Sequence, residues 1–148
     1  MVTLEPMTEV AEALRTAAGA AFAGEPIAFA YLFGSHATGT ATERSDVDVA
    51  VHLQPDATTD QTAALGLRLR LAAVLERHTG LGPIEVVILD GSPLSLTGRV
   101  QEEGVLLYSV DEEMRVRGAS LTSRRYHDFK IHEQRSARER LARLAEGR

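Results

Sequence analysis

The chain has 148 residues, of which 44% are hydrophobic and 25% are charged, a composition typical of one soluble globular domain. No apolar run is long enough to span a bilayer, so we expect no association with membranes. The absence of cysteine excludes disulfide bonds, thiolate chemistry and cysteine-ligated zinc sites. Residues 1–6 lack the basic start and apolar stretch of a signal peptide, and we therefore expect a cytoplasmic protein.

The net charge of −5 is unevenly distributed along the sequence. Residues 1–113 carry 6 basic and 17 acidic side chains, whereas residues 114–148, the basic tail, carry 10 basic and 4 acidic ones. The basic tail is either a solvated helix face or a surface for an anionic substrate or an acidic partner. Because Glu133, Glu139 and Glu146 are interspersed with the arginines, we favour the solvated helix face.

The first third of the chain predicts a helix and two strands. Apolar residues recur at helical spacing from about Thr8 to Ala23, and Gly24 and Pro26 end this helix. Residues 27–33 are continuously apolar and predict a buried strand. The small and polar residues 34–45 predict a loop with room for one helical turn, and residues 47–53 predict a second strand.

The rest of the chain continues to alternate between helices and strands. Residues 61–78 predict an amphipathic helix, residues 84–89 a third strand, residues 94–103 a helix and residues 105–108 a fourth strand. A last helix is predicted from about Ala119 to Ala145. Strands interleaved with helices predict an α/β fold in which helices flank a small sheet. We expect a single domain over residues 1–148, with residues 111–148 as a helical C-terminal extension.

Gly34 and Ser35 directly follow the first predicted strand. A glycine permits a sharp turn there and lets a phosphate approach the main chain. Ser35 offers a hydroxyl and a backbone N–H to a phosphate oxygen. Gly-Ser pairs occur in many loops, so this pair alone is a weak indication of a phosphate-binding turn. His36, which comes next, is interpreted as a passive loop residue.

Asp46 and Asp48 lie two residues apart at the start of the second strand, so both side chains project from the same face. At the usual strand rise, their Cα atoms are roughly 6.6 Å apart. Two carboxylates this close repel each other unless a cation lies between them, and hard oxygen ligands favour Mg²⁺. Two such ions, about 4 Å apart, can activate an attacking hydroxyl and neutralise a pyrophosphate leaving group.

The alternative for Asp46 and Asp48 is a capped turn, in which Asp46 accepts hydrogen bonds from backbone amides and Asp48 faces solvent. We favour the metal site because valines alternate with both aspartates, so that one face of the strand is apolar and the other begins with two acids. The Gly-Ser turn ahead of the strand supports the same choice.

Residues 31–39, Tyr-Leu-Phe-Gly-Ser-His-Ala-Thr-Gly, and residues 45–51, Ser-Asp-Val-Asp-Val-Ala-Val, resemble the signature of the DNA polymerase β-like nucleotidyltransferase superfamily. Ten residues separate Ser35 from Asp46, which is the spacing of the family motif. Within the superfamily, the chain most resembles the minimal nucleotidyltransferases (MNT), the antitoxins of HEPN/MNT toxin–antitoxin pairs. The resemblance extends more weakly along most of the chain. It implies the polymerase β-like nucleotidyltransferase fold, with a small mixed sheet of about four strands flanked by helices.

The resemblance also implies a third carboxylate on a neighbouring strand. Glu85 is the candidate, as a metal ligand or as the general base for the acceptor hydroxyl, although members often have Asp there. Asp90 is the rival, but it precedes Gly-Ser-Pro, where a turn or a helix cap is more natural. Relatives commonly carry Arg at the position of Thr38, and Arg44 or an arginine of the basic tail is the candidate replacement.

By this resemblance, the protein would transfer AMP from ATP, with two Mg²⁺ ions bound by Asp46, Asp48 and Glu85. Gly34 and Ser35 would position the phosphates. The acceptor would be a hydroxyl, with a tyrosine as the first candidate, of a cognate HEPN ribonuclease toxin, which the modification would neutralise. The alternatives are an antitoxin that acts by binding alone, and a nucleotidyltransferase that acts on a small molecule such as an aminoglycoside or on RNA.

Other partners are less well supported by the sequence. Aromatic residues make up only 5% of the chain, so direct binding of nucleic acid by base stacking is not expected. The sequence leaves open whether the protein forms homo-oligomers or hetero-oligomers.

Overall fold

The structure, a computed structural model, describes residues 6–57 and 60–147. The elements in chain order are α1 (Pro6–Phe22), β1 (Ile27–Phe33), α2 (Ser35–Thr38), β2 (Val47–Leu53), α3 (Gln61–Thr79), β3 (Ile84–Ile88), α4 (Leu94–Glu103), β4 (Val105–Ser109) and α5 (Glu112–Ala145). Over these two ranges, the helices are too short or too polar to cross a bilayer.

The four strands form one mixed sheet in the order β3-β2-β1-β4. β1 runs antiparallel to both β2 and β4, whereas β2 and β3 run parallel to each other. Asp48 of β2 pairs in register with Glu85 of β3 on one side and with Phe33 of β1 on the other. Because residues directly opposite each other in neighbouring strands share a face, Asp48 and Glu85 project from the same side of the sheet.

Helices cover both faces of the sheet. α1 and α3 pack on one face, where the larger core includes Leu14, Phe22 and Leu71, all at most 1% exposed. A smaller core on the other face includes Tyr31 and Val100 and lies under α4 and the start of α5. Each fully buried side chain of this kind contributes about 1.5–3 kcal/mol. The alternation in β2 follows from the two cores, since its valines enter the larger core and its aspartate faces the other side.

α3 has the amphipathic character that its sequence predicts. Leu67, Leu71 and Leu75 are buried along one stripe. The helix begins after Asp60, whose side chain accepts a hydrogen bond of 2.7 Å from the backbone N–H of Ala63. The leucine stripe packs α3 against the larger core, and the helix also contacts the edge strand β3.

The last helix begins at Glu112, so the predicted start at about Ala119 is wrong. The side chain of Asp111 accepts a hydrogen bond of 2.9 Å from the backbone N–H of Met114 and caps the helix. Acidic residues also occupy the first turn, where negative charge is favourable near the helix N-terminus. These signals outweigh the low helix propensity of Gly118.

α5 packs against the body only along part of its length. Tyr126 lies over Gly98 of α4, where the Cβ of any other residue would collide with the ring. The rings of Tyr126 and Phe129 stack, with their centroids 6.4 Å apart. None of the 34 residues of α5, all of which the structure describes, is buried. Leu141 and Leu144, near the end of the helix, are 66% and 71% exposed.

The predicted fold class is confirmed: helices flank a small mixed sheet of four strands, and a helical tail follows. The predicted bounds of the first two strands and of α4 coincide with those observed. The assignment of residues 1–148 to a single domain stays a prediction.

Candidate active site

Gly34 forms the turn between β1 and α2. Its backbone has φ 75° and ψ −155°, a conformation that is essentially restricted to glycine. Its carbonyl oxygen accepts hydrogen bonds from the backbone N–H of Ala37 at 3.0 Å and of Thr38 at 3.2 Å. A Cβ at this position would collide with Oδ2 of Asp48. Both the backbone conformation and the close approach of the carboxylate therefore require glycine here.

The loop between α2 and β2 is closed by a small hydrogen-bond network. The backbone N–H of Thr42 donates to Oγ of Ser45 at 2.9 Å, and the N–H of Ser45 donates to the carbonyl of Thr42 at 3.1 Å. Nε2 of His36 lies 3.3 Å from the carbonyl oxygen of Ser45. Because Ser45 immediately precedes Asp46, this network fixes the main chain next to the first aspartate. Arg44 is exposed in the same loop.

Asp46, Asp48 and Glu85 lie at one corner of the sheet, where β2 and β3 begin. Asp48 is partly buried, and the other two side chains are exposed. Burial raises the pKa of Asp48, and the negative charges of Glu85 and Asp46 raise the pKa further, while the nearby His36 lowers it. The strand register and these charge effects show that the structure brings the three predicted site residues together, and Asp48 lies against the turn at Gly34.

The carboxylate oxygens at this corner suit a hard cation, because a cation would relieve the repulsion between Asp48 and its two acidic neighbours. In residues 6–57 and 60–147, however, no group of three His, Cys, Asp or Glu side chains is arranged to coordinate one ion. Mg²⁺ requires only one or two carboxylates when substrate phosphates complete its ligand shell. The residues present therefore fit a site that forms together with nucleotide, and the assignment of Asp46, Asp48 and Glu85 as metal ligands stays a prediction.

Asp90, the rival third carboxylate, lies at the other end of β3. Its Oδ1 accepts a hydrogen bond of 2.9 Å from the backbone N–H of Leu53 and lies 3.6 Å from Nδ1 of His52. The ring of His52 in turn lies against Phe29, with centroids 4.5 Å apart. Asp90 thus ties together the ends of β2 and β3, far from the corner, and this geometry favours Glu85 as the third carboxylate.

Two features of the site were missed in the sequence. His36 is more than a passive loop residue, because it contacts the carbonyl of Ser45 and lowers the pKa of Asp48. A groove of about 290 Å³ also lies beside the carboxylate corner, and we call it the α3–β3 groove. Its lining residues are Asp46, Leu65, Arg68, Leu69, Ala72, Ile84, Glu85 and Val86. Helical periodicity places Leu65 and Leu69 outside the buried stripe of α3, and this pattern could have predicted an exposed apolar surface there.

Residues 20–113 match the family model described as polymerase beta, nucleotidyltransferase. The matched range covers more than half of the chain and includes Gly34, both aspartates and Glu85. No curated protein matches the sequence.

Solved structures with the same fold include toxin–antitoxin complexes. A chain of a toxin–antitoxin complex with AMP-PNP is 21% identical, with a TM-score of 0.60 over 88% of this chain and 97% of that chain. A chain of the complex between the tri-AMPylated Shewanella oneidensis HEPN toxin and MNT antitoxin is 20% identical, with a TM-score of 0.63 over 88% and 98%. A chain of the MntA–HepT toxin–antitoxin is 18% identical, with a TM-score of 0.57 over 90% and 97%. These identities show a shared fold, and with the family match they confirm the resemblance seen in residues 31–51.

Proposed function

Because the chain belongs to the polymerase β nucleotidyltransferase family, we propose that it transfers AMP from ATP to a hydroxyl of a HEPN-type toxin and thereby neutralises that toxin. The observation that carries this proposal is the corner at which Asp46, Asp48 and Glu85 meet the Gly34 turn. Structures of the same fold support the choice of reactants, since one complex contains a tri-AMPylated HEPN toxin and another contains AMP-PNP. A tyrosine is the acceptor that we expect.

In the proposed reaction, the acceptor oxygen forms a bond to the α-phosphorus of ATP, and the bond to pyrophosphate breaks. Mg²⁺ bound by Asp46 and Asp48 would activate the acceptor hydroxyl and neutralise the leaving pyrophosphate. Glu85 is exposed at the start of the outermost strand, where an acceptor can reach it, and takes up the proton that the hydroxyl loses. Asp48, partly buried between its acidic neighbours, holds the centre of the cation site.

The turn after β1 would position the phosphates. The backbone N–H of Ser35 lies in the first turn of α2, where N–H groups have no acceptor within the helix. Gly34 presents no side chain, so a phosphate can approach the main chain next to the Asp48 carboxylate. The nucleotide is thereby held against the same carboxylates that bind the cation.

The proposal is tested by incubating the purified protein with ATP, Mg²⁺ and its HEPN-type toxin and by measuring the intact mass of the toxin. We expect added adenylyl mass with the wild-type protein and at least about a hundredfold slower transfer with Asp48→Asn, because several kcal/mol of charge stabilisation are lost. Asp56→Asn, which changes an exposed aspartate in the turn after β2, is the matched control and should transfer normally.

Protection of cells separates transfer from inhibition by binding alone. If Asp48→Asn protects cells from the toxin as fully as the wild-type protein does, binding alone is the better explanation and the proposal is wrong. If the wild-type protein modifies an added aminoglycoside or RNA and leaves the toxin unmodified, the proposed acceptor is wrong, but the proposed transfer of AMP is correct.

A further inference from the structure

The α3–β3 groove presents an apolar surface to solvent. Leu65 and Leu69 of α3 are 51% and 63% exposed, and with Ala72 they form its helical side. Residues four apart on a helix are neighbours on its surface, so the two leucines form one continuous patch. Single exposed leucines are common, but two that flank a groove of about 290 Å³ form a surface that can take up an apolar side chain.

The same groove extends to the carboxylate corner. Asp46 and Glu85 belong to its lining, and Glu85 pairs in register with Asp48 on the neighbouring strand. The Glu85 side chain projects from the face opposite α3, but Glu85 belongs to the edge strand, so a molecule that occupies the groove has one end at the edge beside the proposed general base. Because a general base must come within hydrogen-bond distance of the hydroxyl that it deprotonates, the groove is a direct route for the acceptor.

β3 is the edge strand next to this groove, but side chains already hydrogen-bond part of its free edge. Side chains hydrogen-bond three of its backbone groups: Glu76 with the N–H of Ile84 at 2.9 Å, Arg68 with the carbonyl of Val86 at 2.8 Å, and Ser92 with the carbonyl of Ile88 at 2.8 Å. An additional strand would have to displace these bonds to pair with β3. Binding through side chains is therefore favoured over addition of a strand.

We propose that the α3–β3 groove binds the segment of the partner protein that carries the acceptor hydroxyl. An apolar side chain of that segment packs against Leu65 and Leu69. This inference rests on the proposed function and adds to it the chemistry by which the toxin segment is recognised.

The test compares two pairs of exposed leucines. Leu65→Ala/Leu69→Ala removes the apolar side of the groove without weakening the helix, since alanine is the best helix former. We expect the KM for the HEPN-type toxin to rise about tenfold or more, because apolar surface that binding buries is lost, with kcat and the affinity for AMP-PNP unchanged. Leu141→Ala/Leu144→Ala, which truncates leucines of α5 that are 66% and 71% exposed, should leave the KM unchanged.

A tyrosine peptide with flanking leucines should compete with the toxin, whereas one with flanking serines should not. Transfer by Leu65→Ala/Leu69→Ala with a wild-type KM for the toxin would overturn the groove assignment while leaving the proposed function intact. Equal effects of the two leucine pairs, or equal competition by the two peptides, would also overturn it. Absence of any transfer to the toxin by the wild-type protein would overturn the proposed function and the groove assignment together.

Discussion

At the scale of single residues, the candidate site depends on the absence of a side chain at Gly34. Gly34 and Gly39 have φ values of 75° and 81°, so a side chain at either position strains the backbone. Only at Gly34 would a Cβ also collide with the carboxylate of Asp48, since nothing lies within 4 Å of a Cβ at Gly39. A comparison of substitutions at these two glycines therefore distinguishes the effect of backbone strain from the effect of displacing Asp48.

Gly34→Ala is expected to abolish adenylyl transfer, whereas Gly39→Ala should keep most of it. Gly39→Ala should lose about 1–3 kcal/mol of unfolding free energy, because it forces a side chain into the left-handed conformation, and Gly34→Ala should lose more, because its backbone conformation is essentially restricted to glycine. Transfer rates and denaturant unfolding of the two variants provide the measurement. Equal activity of the two folded variants would show that the contact between Gly34 and Asp48 does not matter for the reaction.

The residues of the site differ in how far the sequence could predict them. Gly34, Ser35, Asp46 and Asp48 stand out because their predicted chemistry depends on local spacing, and the structure places Asp48 against the glycine turn with Asp46 nearby. The choice between Glu85 and Asp90 depends on the parallel register of β2 and β3, which is a long-range pairing that no local pattern specifies.

At the scale of elements, buried strands were the most predictable feature. The continuous apolar run of β1 reflects burial on both faces, whereas the alternation in β2 reflects one buried face and one that carries the partly exposed Asp48 and His52. Glycine, proline and aspartate mark the ends of both strands. The order of the strands was not predictable, because it depends on contacts between distant segments. The start of α5 was missed although Asp111 followed by two acidic residues is a recognisable cap signal.

His52 and Asp90 lie in contact at the ends of β2 and β3 that are farthest from the site, and the protonation of His52 depends on pH. Burial lowers the pKa of His52 from its ordinary value of 6.5, and the nearby carboxylate of Asp90 partly opposes this shift. The unfolded chain therefore binds a proton at His52 more readily than the folded chain does. Stability contributed by neutral His52 is present above pH 6.5 and declines as the pH falls below that value.

His52→Gln is accordingly expected to weaken the loss of stability on acidification. Unfolding free energies measured by denaturant at about pH 7.5 and about pH 5.5 should differ less for this variant than for the wild-type protein. His78→Gln, which replaces an exposed histidine in the last turn of α3, serves as the control. The same pH dependence in His52→Gln as in the wild-type protein would rule out a role for His52 in acid sensitivity.

At the scale of the whole molecule, charge and packing divide the acidic body from the basic helix. Residues 1–113 carry the site and 17 acidic side chains against 6 basic ones, whereas α5 holds most of the arginines. Ion pairs such as Arg115–Glu112 at 2.7 Å and Lys130–Glu102 at 3.4 Å lie at the surface, where they contribute little to stability. α5 is exposed in the isolated chain, as both interpretations of the basic tail require, so the choice of a solvated helix face stays a prediction.

We attribute the transfer to the carboxylates at the start of β2 and β3 rather than to the carboxylate at the far end of β3. The most direct measurement is the initial rate of adenylyl transfer to the HEPN-type toxin by Glu85→Gln and by Asp90→Asn. We expect Glu85→Gln to be slower by about a hundredfold or more. Asp90→Asn should keep most of the rate and lose stability, because it weakens the contacts with Leu53 and His52. Loss of transfer in Asp90→Asn, together with an undiminished rate in Glu85→Gln, would contradict the claim.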